Sequence, residues 1–156
     1  MNYSLRLQLG LYLGVEKNKI LSVIPCLKPV KHRSEVIKTT TGITVIDDGY
    51  NANLEGIKST SQAISQFDGF KVAVTAGVVE LGVKTKEINY AVGEVLAKTF
   101  DLIICVGANG KYIALGVGGK VKTIEIEKLS DCNEIIKRST KSGDVVAFFN
   151  DVPDRY

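Results

Sequence analysis

Two adjacent carboxylates, a phenol and two side-chain amides fall within one short stretch, Ile46-Asp47-Asp48-Gly49-Tyr50-Asn51-Ala52-Asn53. Such groups suit hydrogen bonding to a polar ligand, since carboxylates accept and amides both donate and accept. An apolar run precedes the stretch and an amphipathic run follows it, so it is expected where a buried strand gives way to a helix. A core cannot hold these groups cheaply, because an unpaired buried carboxylate or amide is strongly destabilising. In an open α/β sheet the junction lies at the carboxyl edge of the strands, where ligands usually bind. The stretch is expected to face a ligand or line a crevice.

The elements that position it can be read from changes of period. Glu35–Thr40 and Ile43–Asp47 flank Thr41-Gly42 and predict a hairpin or a strand with a turn. Asn53–Phe67 predicts a helix capped by Asn53, with Ile57, Ala63, Ile64 and Phe67 on its apolar side. Lys71–Thr75 reads as a buried strand, followed by a loop from Ala76 to Gly82 in which Gly77 and Gly82 permit unusual backbone angles. Lys84–Thr99 is the most regular helix, with Ile88, Ala91, Val92, Val95 and Leu96 at helical spacing. Asp101–Val106 is a further apolar strand; Gly107-Ala108-Asn109-Gly110 then reads as a plain turn before a short helix to about Leu115. A strand over Lys122–Ile126, a helix near Leu129–Arg138 and a strand over Asp144–Phe149 complete the series. The alternation implies an α/β fold, a Rossmann-like and mostly parallel sheet of about six strands with helices on both faces.

Ahead of this lie two short apolar helices, broken at Gly14 and ended by Pro25, and then a linker from Pro25 to Arg33. Residues 1–30 are therefore expected to be a helical remnant of a preceding domain, and residues 31–156 the main domain. At 156 residues and 45% hydrophobic the chain can build a core of ordinary size. A net charge of +3 is too small to argue for nucleic acid. No apolar run reaches the roughly 20 residues of a membrane span, and no signal peptide is expected. Cys26, Cys105 and Cys132 are far apart and fit no metal knuckle, so a reduced, cytoplasmic setting without a metal site is expected.

The order of these features resembles the C-terminal domain of the Mur ligases, ATP-dependent amide-forming enzymes of bacterial cell-wall synthesis. Pro29-Val30-Lys31-His32-Arg33 is similar to the hinge before that domain, and Asp47–Asn53 to the signature D-D-x-Y-N-A-N-P. Val74-Thr75-Ala76-Gly77-Val78-Val79-Glu80-Leu81-Gly82 resembles a V-T-P-G-M-V-E-L-G loop, and Asn150–Tyr156 a terminal N-D-L-P-D-x-Y. Leu54, Gly56 and Ala76 depart from the pattern. No G-x-x-x-x-G-K-[ST] phosphate loop occurs; in the family that loop and the metal ligands belong to the central domain. The resemblance thus implies an excised or degenerate C-terminal domain that does not hydrolyse ATP alone.

It further implies partners: an ATP-binding central domain and a UDP-sugar-binding N-terminal domain. ATP and Mg2+ serve the full-length enzyme, with none held tightly by this chain. The likeness points to the branch that adds D-alanyl-D-alanine to a UDP-MurNAc-tripeptide. By resemblance Arg33 reaches nucleotide phosphate and Asp48 accepts from the ribose. Asn51 is expected to face the ligand, and Tyr50 to pack on the nucleotide, hydrogen-bond substrate or join the core. Asn53 and Glu80 are candidate contacts to the amine substrate, with a helix cap the favoured use of Asn53 and a tie for its own loop that of Glu80. Asp47 is expected to orient the first loop, and His32 to have no catalytic use. A signalling receiver domain fails because the strand ending at Val106 lacks the required aspartate. A dinucleotide-binding domain fails because no G-x-G-x-x-G follows the first strand. A non-catalytic interaction module derived from a Mur ligase remains the alternative.

Overall fold

Central strands that are apolar on both faces need cover on both, and that requirement organises the molecule. The structure, a computed structural model, describes residues 3–23, 34–49 and 52–149. In chain order the elements are α1 (Tyr3–Tyr12), α2 (Lys17–Val23), β1 (Glu35–Lys38), β2 (Thr44–Asp48), α3 (Leu54–Ile64) and β3 (Lys71–Thr75). Then follow α4 (Thr85–Leu96), β4 (Leu102–Val106), α5 (Gly110–Val117), β5 (Lys122–Ile126), α6 (Cys132–Ser139) and β6 (Val145–Phe149). Among the described residues six strands form one sheet in the order β1-β2-β6-β3-β4-β5. β1 and β2 make the expected antiparallel hairpin; the remaining pairings are parallel.

One sheet face, with Ala73, Ile103 and Ala147, packs under Ile57 and Ile64 of α3, Val92 and Leu96 of α4, and Ile113 and Val117 of α5. The other face, with Val72, Val74, Ile104 and Val146, packs under Cys132, Ile135 and Ile136 of α6. Phe149 is fully buried and meets Phe100 edge-on, with ring centroids 5.8 Å apart. α4 and α5 cross almost backbone to backbone. A Cβ on Gly93 would strike the Ile113 carbonyl, and one on Gly116 the Tyr90 carbonyl, so both positions demand a residue without a side chain.

Several boundaries differ from the sequence-based expectation. α3 stops at Ile64, which leaves Ala63 and Phe67 exposed rather than on the apolar side. Its buried stripe is Ile57, Thr60, Ser61 and Ile64, a helical spacing in which two polar residues take inward positions. α4 ends at Leu96 instead of Thr99, and its buried stripe runs through Asn89, Val92 and Leu96, with Ile88 only half-buried. α6 is entered through a 3-10 turn at Leu129–Asp131. At the N-terminal end α1 lies on α2, with Gly10 against Ile20, while Leu9, Tyr12, Leu13, Leu21 and Val23 remain exposed.

Candidate functional site

The parallel ladders set two strand ends level. Asp48 of β2 and Thr75 of β3 both pair with Phe149 of β6 between them. With neighbouring strands about 4.8 Å apart, the two loops that leave β2 and β3 start about 10 Å from each other at the carboxyl edge. Those loops carry the two acidic motifs. The terminal motif, Asn150–Tyr156, begins one residue past Phe149 but lies outside the described residues, as do Arg33, Tyr50 and Asn51.

In the first loop Asp47 Oδ1 accepts from Gly49 N at 3.1 Å, a local turn contact that matches its expected orienting role. Asp48 holds together three segments. Its Oδ1 accepts from Ser34 N at 2.9 Å and Ser34 Oγ at 3.0 Å, and its Oδ2 accepts from Thr60 Oγ1 at 2.7 Å. The inward position of Thr60 on α3 now has its reason, since its hydroxyl serves a carboxylate. Ser34, the residue after Arg33, adopts φ 51, a left-handed conformation uncommon for serine. A carboxylate offers about four acceptor directions. Three are taken, so Asp48 is largely engaged within the fold rather than simply facing outward. Asn53 is exposed and caps α3, its Oδ1 accepting from Gly56 N at 2.9 Å.

The second loop is built the other way round. Glu80 is exposed and adopts φ 60, and among the described residues no hydrogen bond reaches its carboxylate, which corrects the expectation that it ties its loop down. Asn89 does that instead. Buried completely in α4, it accepts from Val78 N at 2.8 Å and donates through Nδ2 to Val78 O at 3.0 Å and Thr85 O at 2.9 Å. Asn109 adds longer bonds from Nδ2 to Ala76 O at 3.3 Å and Val78 O at 3.4 Å. The turn at Gly107–Gly110 therefore does more than reverse the chain. Sequence reasoning missed Ser34, Thr60, Asn89 and Asn109. For Thr60 and Asn89 the available signal was a polar residue lodged in the apolar stripe of a helix beside a loop.

Elsewhere on the same edge a cavity of about 380 Å³ lies between Gly107–Ala108 and Glu125–Glu127. Of the residues singled out for ligand contact, Asp48, Asn53 and Glu80, the ones among the described residues, do not line it, and two glutamates make it a poor seat for a phosphate. Below it Cys105 is buried, and burial, helped by the charge of Glu125, pushes its thiol up to about 12. A thiol so protonated is no nucleophile at neutral pH. Among the described residues no group of three or more His, Cys, Asp and Glu is placed to hold a metal ion. No helix among them is long and apolar enough to cross a membrane.

A mostly parallel sheet with this strand order, carrying both acidic motifs on level strand ends, defines the class. The family model for the Mur ligase glutamate ligase domain matches residues 32–149, and the chain belongs to that family. It is 27% identical, over 95% of its length, to UDP-N-acetylmuramoyl-tripeptide–D-alanyl-D-alanine ligase of Bacillus subtilis, of which the match covers 34%. The Escherichia coli ligase of the same name is 29% identical over 70% of the chain and 25% of its own length. Among solved structures, MurF ligase from Thermotoga maritima in complex with ADP superposes with a TM-score of 0.76 at 27% identity, covering 92% of this chain and 32% of that one. The chain is a Mur ligase C-terminal domain with MurF-like relatives, and it spans about a third of the length of those it matches.

Proposed function

We propose that this chain supplies the closing half of a cytoplasmic ATP-dependent amide ligase, the part that meets nucleotide and incoming amine as it folds over a central ATP-binding domain. The observation that carries the reading is convergence: both acidic loops leave strand ends that share Phe149 as neighbour. Residues 1–30 are then the last helices of the central domain plus the linker, and residues 31–156 the C-terminal domain. The exposed apolar side chains of α1 and α2 suit packing on the rest of such a domain.

In the reaction of this class a carboxylate is activated as an acyl phosphate using ATP, and an amine then displaces phosphate. Asp48 keeps one acceptor direction for a ribose hydroxyl. Arg33 offers phosphate a planar, permanently charged fork. Tyr50 and Asn51 border the amine, the free Nδ2 of Asn53 turns toward it, and Glu80 meets the ammonium of D-alanyl-D-alanine. Closure of the domain keeps water from the activated carboxylate. The phosphate loop, the ligands for Mg2+ and the UDP-sugar pocket belong to the part of the relatives that this chain does not span, and the chain alone turns over no ATP.

A second reading has its own observation. Both Asp48 oxygens already hold Ser34 and Thr60, so the signature also works as pure scaffold, and the chain would then be a non-catalytic interaction module. Calorimetric titration with Mg-ATP and with D-alanyl-D-alanine separates the two, with Asp48→Ala as control and Asp48→Asn as a milder variant that keeps an acceptor for Ser34. Saturable binding lost on substitution supports the half-site. Silence toward both ligands, persisting when the central domain of a relative is added, supports the module.

A further inference from the structure

We propose that Asn89 is a positioning residue: it holds the loop after β3 in one strained conformation that carries the Glu80 carboxylate to the ligand edge. The inference rests on the reading of Glu80 as the contact for the amine. Gly77 at φ 75, Glu80 at φ 60 and Gly82 at φ 55 put three left-handed residues into one short loop, the middle one a glutamate. An L residue adopts that conformation at a cost and keeps it only where its surroundings over-determine it. Asn89 provides the determination. Its amide forms a closed pair with both backbone groups of Val78, and its second N–H bonds the Thr85 carbonyl, so one side chain ties the loop to the first turn of α4. The placement of its oxygen and nitrogen follows from those partners, one a donor and two acceptors.

The position itself argues for a purpose beyond packing. Residue 89 stands on the buried stripe with Val92 and Leu96, where an apolar side chain would continue the core. Asparagine gives up that burial to hold backbone. Gly77 makes room for it, since a Cβ there would strike Asn89 Oδ1. The clamp acts at Val78 and the half-buried Leu81 packs against the core, while Val79 and Glu80 between them stay exposed. A loop that needed only to connect β3 with α4 would gain nothing from a rigidly held, left-handed acid at its crest.

The test uses the whole chain, labelled with 15N, in wild-type, Asn89→Ala and Glu80→Gln forms. Ile64→Val serves as a control for mild loss of stability, its side chain being buried in α3. Asn89→Ser replaces Asn89→Ala should the latter not fold, because a hydroxyl cannot bridge both groups of Val78. Asn89→Ala is expected to speed exchange of the Val78 amide roughly tenfold or more beyond the effect of Ile64→Val. It should also raise fast motion over Val79–Gly82 and weaken D-alanyl-D-alanine binding, followed by chemical shift, about as much as Glu80→Gln does. Shifts caused by Mg-ATP should stay as in wild type. Uniform loosening of the whole molecule, or a loosened loop with undiminished dipeptide binding, overturns the proposal. Absence of dipeptide shifts in wild type at high millimolar concentration, persisting when the central domain of a relative is added, overturns the amine reading, and the proposal falls with it even where the exchange data show the clamp. Dipeptide binding lost in Asn89→Ala but kept in Glu80→Gln overturns Glu80 as the group being positioned.

Discussion

Asp48 ends β2, and Glu80 lies in the loop that leaves β3, with β6 between the two strands. The first carboxylate is half-buried and accepts three hydrogen bonds from Ser34 and Thr60. The second is exposed and, among the described residues, accepts none, yet its loop is pinned by Asn89 of α4 and by Asn109, the residue before α5. In the first loop the acid is itself the anchor, joining the exit of the linker, a strand and a helix. In the second the anchoring is done by side-chain amides, that of Asn89 buried and that of Asn109 half-buried, which leaves the acid free at the surface. The more conspicuous signature therefore carries the more structural acid, and availability to a ligand has to be read from what already occupies the carboxylate.

The comparison breaks most heavily where the second loop's platform is built. Asn89 and Asn109 can act together only if α4 and α5 keep their close crossing, which depends on Gly93 and Gly116. Gly116→Ala puts a methyl group against the Tyr90 carbonyl, a clash with backbone that a rotamer change cannot relieve. We expect a loss of about 3 kcal/mol, the upper end of ordinary overpacking, read as a lower urea midpoint with an unchanged slope. A midpoint close to wild type would mean that the helices slide apart easily, and the contrast between a rigid and a self-anchored loop would lose its basis.

A smaller effect sharpens the other side. Thr60→Val keeps shape and removes the hydroxyl that donates to Asp48 Oδ2 at 2.7 Å. Bonds to charged groups contribute about 1.5–3 kcal/mol; because Asp48 is only half-buried we expect the lower value, about 1.5 kcal/mol. A double-mutant cycle with Asp48→Ala, which removes both carboxylate oxygens, isolates the pair. Coupling near zero would show that the carboxylate is scarcely held by Thr60, and Asp48 would then resemble Glu80 in its freedom to meet a ligand.

Strand and helix order was legible because periodicity reports it directly: the run Lys71–Thr75 and the turn at Thr41-Gly42 became β3 and the β1–β2 hairpin as expected. The strand order was not, since nothing in the sequence of β6 says that it inserts between β2 and β3, and that insertion is what brings the two motifs side by side. Asn53 was readable as a cap because capping is a local bond. Ser34 with Asp48, and Asn109 with Ala76, are bonds between segments far apart in the chain, and residue type alone does not announce them. Asn89 is an intermediate case. Its neighbours Val92 and Leu96 mark the buried stripe, so its inward position could be inferred, but not that Val78 would be its partner. For Glu80 the sequence left two uses open, a contact to the amine and a tie for its own loop; the structure takes the tie from outside the loop, through Asn89.

The smallest expected effect has the opposite sign. At φ 60 Glu80 occupies a conformation that costs an L residue about 1–2 kcal/mol and costs glycine nothing. Glu80→Gly relieves that strain, while the freer glycine backbone in the unfolded chain returns about 0.5–1 kcal/mol. The balance is a gain of about 0.5 kcal/mol, measurable as a slightly raised urea midpoint, whereas Glu80→Gln should leave the midpoint within about 0.5 kcal/mol of wild type. A more stable Glu80→Gly variant would show that the glutamate is kept at the expense of the fold, as strained residues at functional sites are. A less stable one would mean that the side chain makes contacts of its own, and Glu80, like Asp48, would be holding its loop rather than being held out by it.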